Sequence, residues 1–235
     1  MNVVIGGASG IGAATAAMLG GDTLVADRAG GHVFCDLADR ASLDGVAARV
    51  DRLDALVVTA GVSPAMADAR TILDIDLAGM ARVLDAFDSL IGEGSVVVCV
   101  ASMAGHLGDL PAETLALLDD PLNDAVLALA DDPGAAYVLA KRGVIRMVRR
   151  LAGAYGRRGA RIVSVSPGVI ATPMGELEMA SGKFSLELVK ASALGRAGTA
   201  EELASAIVFL CSDAARFVTG VDLLVDGGAV AALGR

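Results

Sequence analysis

Short apolar runs and longer amphipathic stretches take turns along the chain. The runs are MNVVI (1–5), TLVAD (23–27), HVFC (32–35), ALVVTA (55–60), SVVVCVA (95–101), ARIVSVS (160–166) and VDLLVD (221–226). Their continuous apolar character predicts strands covered on both faces, as in a parallel sheet. Between most of them, residues 11–19, 41–51, 70–90, 136–156 and 200–211 carry apolar positions at helical spacing. Strand–helix alternation predicts right-handed βαβ crossovers and an α/β fold, with seven parallel strands in one doubly wound sheet. No linker or domain break interrupts the rhythm, so 1–235 reads as a single domain.

One segment departs from the alternation. Residues 106–134, HLGDLPAETLALLDDPLNDAVLALADDPG, separate the fifth strand from the next long helix. They contain the echo LALLDDP and LALADDP, and proline disfavours helix at the residue before it. The pattern predicts an inserted helical hairpin.

Composition narrows the function classes. Hydrophobic residues make up 54% of the 235, so a buried core is expected and disorder is not. A net charge of −9, 3% aromatics and no Trp argue against nucleic acid and anionic membranes as partners. Three scattered cysteines and two histidines offer no metal-site spacing, so no metal is expected. No apolar run reaches the ~18 residues of a membrane span, and MNVVIGG does not read as a signal peptide. A cytoplasmic location is expected.

The first apolar run leads into IGGASGIG (5–12). Gly6, Gly10 and Gly12 fall where a tight turn, close backbone approach to a pyrophosphate and close helix packing are needed. The following helix then presents free N–H groups to the phosphates. Asp27 ends the second strand, placed to accept hydrogen bonds from ribose hydroxyls and to repel a 2′-phosphate. Ser9 is not basic and offers no phosphate anchor, whereas Arg28 beside Asp27 is able to receive one. Together these features favour NAD over NADP in a Rossmann-type fold. Asp36 and Leu37 follow the third strand as candidates to flank an adenine, and Ala60 and Gly61 give a side-chain-poor surface after the fourth.

AAYVLAK (135–141) places Tyr137 and Lys141 four residues apart, on one helix face. A free tyrosine, with a pKa near ~10, is a poor base at neutral pH. A neighbouring ammonium and an oxidised nicotinamide would favour its phenolate. Ser102, at the end of the fifth strand, is placed to hold a substrate oxygen beside the phenol.

With these pieces assembled, the whole chain resembles the short-chain dehydrogenases/reductases. The resemblance rests on IGGASGIG (5–12), TAGV (59–62), DLAG (76–79), VASMAG (100–105), YVLAK (137–141), SPGVIATPM (166–174) and the tail GRAGTAEELASAIVFLCSD…TGVDLLVDGG (195–228). It implies Tyr137 as acid/base, Lys141 as its partner and ribose anchor, and Ser102 as substrate orienter. It also implies Ile11 in the phosphate loop, Pro167, Gly168, Val169 and Thr172 at the nicotinamide end, and Asp27, Asp36 and Leu37 at the adenosine end. Two positions depart from the family pattern. Ile5 stands where Thr is usual, and Asp76 stands where the family's Asn helps hold a water near the lysine. A carboxylate there would strengthen the charge on Lys141 and partly cancel its field at Tyr137. The long gap between Ser102 and Tyr137 resembles a smaller branch, the bacterial 3α-hydroxysteroid dehydrogenase/carbonyl reductase-like members.

The resemblance implies an oxidoreductase moving a hydride between NAD(H) and a secondary alcohol or ketone, with an apolar, cyclic body the favoured substrate. Competing readings are an NADP-dependent carbonyl or acyl-carrier ketone reductase, and a dinucleotide-binding sensor without useful turnover. Residues 173–194 are expected to form an apolar lid through Met174, Leu177, Met179, Phe184 and Leu188, with Gly175 and Gly182 letting it open. A homodimer or homotetramer is expected, with the 106–134 insertion altering the interface usually formed by the long helices.

Overall fold

The computed structural model describes residues 1–181 and 183–234. Seven parallel strands form one sheet: β1 (Asn2–Ile5), β2 (Thr23–Asp27), β3 (Val33–Phe34), β4 (Ala55–Val58), β5 (Val96–Val100), β6 (Arg161–Pro167) and, last in chain order, β9 (Asp222–Val225). Their order is β3-β2-β1-β4-β5-β6-β9. The chain winds outward one way from β1 through β2 to β3. It then returns to the other side of β1 at β4 and winds the opposite way. The C-terminal ends of β1 and β4 therefore flank the topological switch point, where open α/β sheets bind ligands.

Alternating side chains supply two cores. Val4, Val57, Val98 and Val163 pack on one face with Leu203 and Ile207. Val3, Ile5, Leu56, Val58, Val97 and Cys99 pack on the other with Leu77, Met80, Val144 and Val148. Every residue of β4 and β5 is buried. Full burial of such a side chain contributes about 1.5–3 kcal/mol, which is why these strands read as unbroken apolar runs. The helices α1 (Gly10–Leu19) and α9 (Ala200–Cys211) cover the first face. Thr199 and Glu202 start α9 with a reciprocal capping box.

The second face is covered by α2 (Arg40–Ala47), by a composite helix, and by the long helix α6 (Pro133–Arg157). The composite helix is α3 (Ala69–Ile72), a π-helical turn at Leu73–Ala78, and α4 (Gly79–Ala86). Its wide turn is marked by the Gly79 N–H reaching Asp74 O, five residues back. The expected helix over 70–90 is thus three pieces, with a separate 3₁₀ turn at Asp88–Leu90.

The insertion differs from a helical hairpin. After a 3₁₀ turn (Met103–His106) comes one two-turn helix, α5 (Ala112–Leu118), and then a second 3₁₀ turn (Asp124–Ala128). The second Asp-Asp-Pro opens a helix rather than closing one. Asp132 caps α6 by accepting from Ala135 N at 2.8 Å, and Pro133 takes the first helical turn. Asp119 at the end of α5 meets Arg146 and Arg150 of α6, so the insertion lies along that helix.

After β6 the chain makes a two-stranded parallel ribbon of β7 (Ile170–Ala171) and β8 (Gly198–Thr199). Between them run α7 (Pro173–Ser181) and α8 (Lys183–Ala191), and α10 (Ala229–Ala232) follows β9. No helix among the described residues is long and apolar enough to cross a membrane.

Candidate active site

The switch point is built from glycine. Gly6 has φ +85°, and a side chain there would press on the Ala60 backbone. A Cβ on Gly12 would overlap the Gly6 carbonyl and the Thr59 hydroxyl. The Thr59 hydroxyl lies 3.0 Å from Gly6 O and 3.1 Å from Ile5 O. It ties the loop after β1 to the end of β4, although Ile5 has no side-chain donor. Gly10 has φ +50° and faces Thr172. Ser9 occupies the N-cap of α1 in extended conformation without a side-chain capping bond. The first N–H groups of α1 are therefore not sealed by their cap, the arrangement an anion needs.

Asp27 closes the other side of this loop. Its carboxylate accepts from Ala8 N and Ala29 N, each at 3.0 Å. Arg28, next to it, is exposed. Asp36 turns its carboxylate on Ala38 N at 2.9 Å, while the Leu37 side chain is buried in the core against Gly79. Only the backbone of Leu37 is left to face a ligand. Ala60 and Gly61 are half-buried, and Gly61 backs directly onto the Asp76 carboxylate.

A cleft of about 520 Å³ continues from this loop. Ile11, Gly61, Ser102, Tyr137, Lys141, Pro167, Gly168, Val169 and Thr172 all line it. The topology explains their convergence. Ser102 follows β5, Pro167 ends β6 with Gly168 and Val169 just beyond it, and α6 crosses the strand ends with Tyr137 and Lys141 on its inner face. Ser102 caps the first 3₁₀ turn, accepting from Ala104 N at 3.1 Å. The Lys141 Nζ stands 5.3 Å from the Tyr137 ring centroid. A second network braces this corner: His106 Nε2 is 2.7 Å from Asp222 Oδ2, and Ser166 Oγ donates to Asp222 Oδ1 at 3.0 Å.

Asp76 lies behind Lys141, in the π-helical turn. Its Oδ2 is 3.0 Å from Nζ and its Oδ1 accepts from Val62 N at 2.8 Å. Both side chains are buried. The two groups form a buried ion pair. Burial pushes the Asp76 carboxyl up, opposed by Lys141 and the Val62 N–H. Burial, the largest single effect, pulls Lys141 down, but Asp76, Tyr137 and Glu178 together outweigh it and the ammonium is held above its usual range.

Tyr137 is raised as well. Burial is the largest cause, Lys141 opposes it, and Asp76 and Glu178 add to it; the Ser102 hydroxyl acts in the lowering direction. The sequence expectation had Lys141 pulling the phenol down. It does pull that way, but burial and two carboxylates prevail.

The second carboxylate, Glu178, lines the cleft and went unnoticed in the sequence. Met174 and Glu178 are four residues apart on α7 and face the cleft together. Leu177 lies off that face and is 52% exposed, so it is no part of an apolar lid, and Met179 does not line the cleft. Leu188 of α8 does. Gly175 is no hinge: a Cβ there would overlap the Ile170 carbonyl, so glycine serves a close approach of α7 to β7. Gly182 and the side chain of Phe184 lie outside the described residues.

Residues 125–230 match the family model described as enoyl-(acyl carrier protein) reductase. The (−)-isopiperitenol/(−)-carveol dehydrogenase of Mentha piperita is 34% identical, over 96% of this chain and 91% of that protein. A short-chain dehydrogenase/reductase of Alternaria brassicicola is 37% identical, over 77% of this chain and 69% of its own length. The chain belongs to the short-chain dehydrogenase/reductase family. The structure of 3α-hydroxysteroid dehydrogenase from Pseudomonas sp. B-0831, complexed with NADH, superposes with a TM-score of 0.89 at 29% identity. It covers 99% of this chain and 97% of that one. As a member of this family the protein is an oxidoreductase of CH–OH groups that uses a nicotinamide dinucleotide.

Proposed function

We propose that the protein transfers a hydride between NAD(H) and a secondary alcohol or ketone carried on an apolar, alicyclic body. The observation that carries the reading is the convergence of Ser102, Tyr137 and Lys141 in one cleft that opens onto the glycine loop. A ring-bearing substrate is supported by the mostly apolar walls, among them Ile11, Val62, Val138, Met174 and Leu188, and by two relatives whose names specify terpenoid and steroid alcohols.

The residues fit a dinucleotide. Glycine at Gly6 and Gly12 lets the loop close directly on Ala60 and Thr59, and the α1 N-terminus that this loop positions is not sealed by a side-chain cap, as a pyrophosphate needs. Asp27, with Asp36 and the Leu37 backbone beyond it, would hold the adenosine end. The Asp27 charge favours ribose hydroxyls over a 2′-phosphate, which supports NAD. Pro167–Val169 and Thr172 would hold the nicotinamide end, where the bound ring accepts or supplies the hydride.

The chain's own groups handle the proton. In oxidation the carbinol carbon loses its hydrogen with the bonding pair, and the hydroxyl proton passes to the Tyr137 phenolate. In reduction the protonated phenol returns it to the forming alkoxide. Ser102 orients the substrate oxygen beside the phenol, and Lys141 supplies positive charge that favours phenolate, tempered by Asp76. The test is steady-state turnover on cyclic secondary alcohols with NAD and with NADP; a preference for NADP would overturn the cofactor reading.

The same reading takes residues 1–235 as one domain that assembles into a homo-oligomer. The insertion packs on α6 through Asp119, Arg146 and Arg150 and so covers surface that a helix-to-helix interface would use. Sedimentation with residues 109–131 replaced by a short linker tests this. A changed assembly is expected, and an identical one refutes it.

A further inference from the structure

The loop after β3 carries Asp36 and Leu37, and its backbone is held from two sides. Ser42 Oγ accepts from Asp36 N at 2.9 Å and donates to Asp36 O at 3.0 Å. The Asp36 carboxylate in turn accepts from Ala38 N. The Leu37 carbonyl is served from outside the loop. It accepts from Nη1 of Arg82 on α4 at 3.1 Å. Ser42 and Arg82 thus fix the peptide planes on either side of Leu37. The Leu37 N–H is left without a partner among the described residues.

Arg82 is itself anchored on the π-helical turn. Its Nη2 donates to the Asp74 carboxylate, and its Nη1 also reaches Asp74 O at 3.3 Å. Gly79 N donates to that same carbonyl where the turn closes. The Arg82 and Asp74 side chains are only 24% and 31% exposed, so solvent screens this pair less than a surface one. Leu37 meets the turn through its side chain as well, since a Cβ on Gly79 would lie 2.9 Å from Leu37 Cβ. Two residues beyond Asp74, Asp76 holds the turn against Lys141 and Val62 N. Arg82 therefore ties the loop after β3 to a stretch that is fixed in the catalytic corner. A planar guanidinium holds several acceptors in one geometry, which a lysine ammonium on a flexible stem does not.

We infer that Arg82 is a positioning residue for the cofactor: it holds the Leu37 backbone against the π-helical turn, so that the Leu37 N–H is presented to the adenosine half of a dinucleotide. This deepens, and rests on, the dinucleotide reading above. Arg82 acts through Leu37, and its loss is felt at the adenosine end. The nicotinamide end is set by Pro167–Val169 and Thr172, which stand on other elements.

The test separates the two halves of the cofactor. Calorimetry measures binding of ADP-ribose and of reduced nicotinamide mononucleotide to wild type, Arg82→Lys and Arg82→Met, with thermal melts confirming that each is folded. Arg82→Met keeps an apolar stem and removes the charge; Arg82→Lys keeps the charge and removes the fork. Both variants should bind ADP-ribose about tenfold or more weakly than wild type. Both should bind the mononucleotide within about threefold of wild type. In turnover, the KM for NAD should rise about tenfold while kcat at saturating NAD stays within about threefold. An ADP-ribose affinity unchanged in either variant, or an equal loss for both fragments, overturns the inference and leaves Arg82 as a structural partner of Asp74. The hydride-transfer reading fails separately, if wild type binds NADH but reduces NAD with no cyclic alcohol; the two fragment affinities still decide the role of Arg82.

Discussion

The Lys141 ammonium lies 3.0 Å from the Asp76 carboxylate, with side-chain exposures of only 7% and 0%. A charge that would otherwise act in full on the neighbouring phenol is thus answered from behind. The π-helical turn at Leu73–Ala78 makes this possible by setting Asp76 against Val62 N and Lys141 at once.

The first consequence concerns pH. Asp76 disfavours phenolate at Tyr137. Replacing it with Asn removes that opposition, so the phenol should release its proton more readily. Alcohol oxidation, which needs the phenolate, should then reach its plateau at lower pH in Asp76→Asn than in wild type. Ketone reduction, which needs the protonated phenol, should fall off at lower pH too. The kcat/KM–pH profiles in both directions check this, and coincident profiles would sink the charge argument.

The same pair bears on stability. Removing one member strands the other charge in the interior, and such changes cost about 3–5 kcal/mol. Asp76→Ala and Lys141→Ala should each show a loss of that order in urea unfolding. The double variant should cost clearly less than their sum, because it strands neither charge.

Gly12→Ala probes the cradle. A methyl group must displace the Gly6 carbonyl or the Thr59 hydroxyl, and overpacking of this kind costs about 1–3 kcal/mol. NADH affinity, followed by fluorescence titration, should weaken about tenfold or more. Unchanged affinity would show that the loop relaxes freely.

Asp27 probes cofactor choice. It receives two backbone N–H groups, one on each oxygen, whereas an amide keeps only one acceptor oxygen. Asp27→Asn should therefore weaken NAD binding and also lift the repulsion of a 2′-phosphate. The ratio of kcat/KM for NAD over NADP should drop about tenfold or more. A ratio that does not move would assign Asp27 to loop structure alone.

Much of this was legible in the chain because the physics is local. Buried parallel strands need unbroken apolar runs, and β4 and β5 supplied them. The glycine loop needs residues without Cβ at fixed spacing, and Gly6 and Gly12 stood there. Tyr137 and Lys141 share a face because four residues make about one helical turn. Asp76 was visible as a departure, yet its direct approach to Lys141 depends on a π-helical turn that no periodicity announced. The insertion was misread because Asp-Asp-Pro ends one helix and begins another, and only Asp132 capping Ala135 N distinguishes the two. Glu178 was missed because α7 was weighed by its apolar residues. The i, i+4 relation to Met174 was the available signal. Once the helix is formed it turns Leu177 outward and Glu178 in.

The central claim is that Tyr137 is the proton-transferring residue of an NAD-dependent dehydrogenase of cyclic secondary alcohols. The most direct measurement compares NAD reduction by wild type and Tyr137→Phe with such alcohols, following the absorbance of the reduced cofactor. Wild type should turn over, and Tyr137→Phe should lose about 10²–10⁴-fold in kcat while still binding NADH. A Tyr137→Phe variant that retains wild-type kcat would contradict the account.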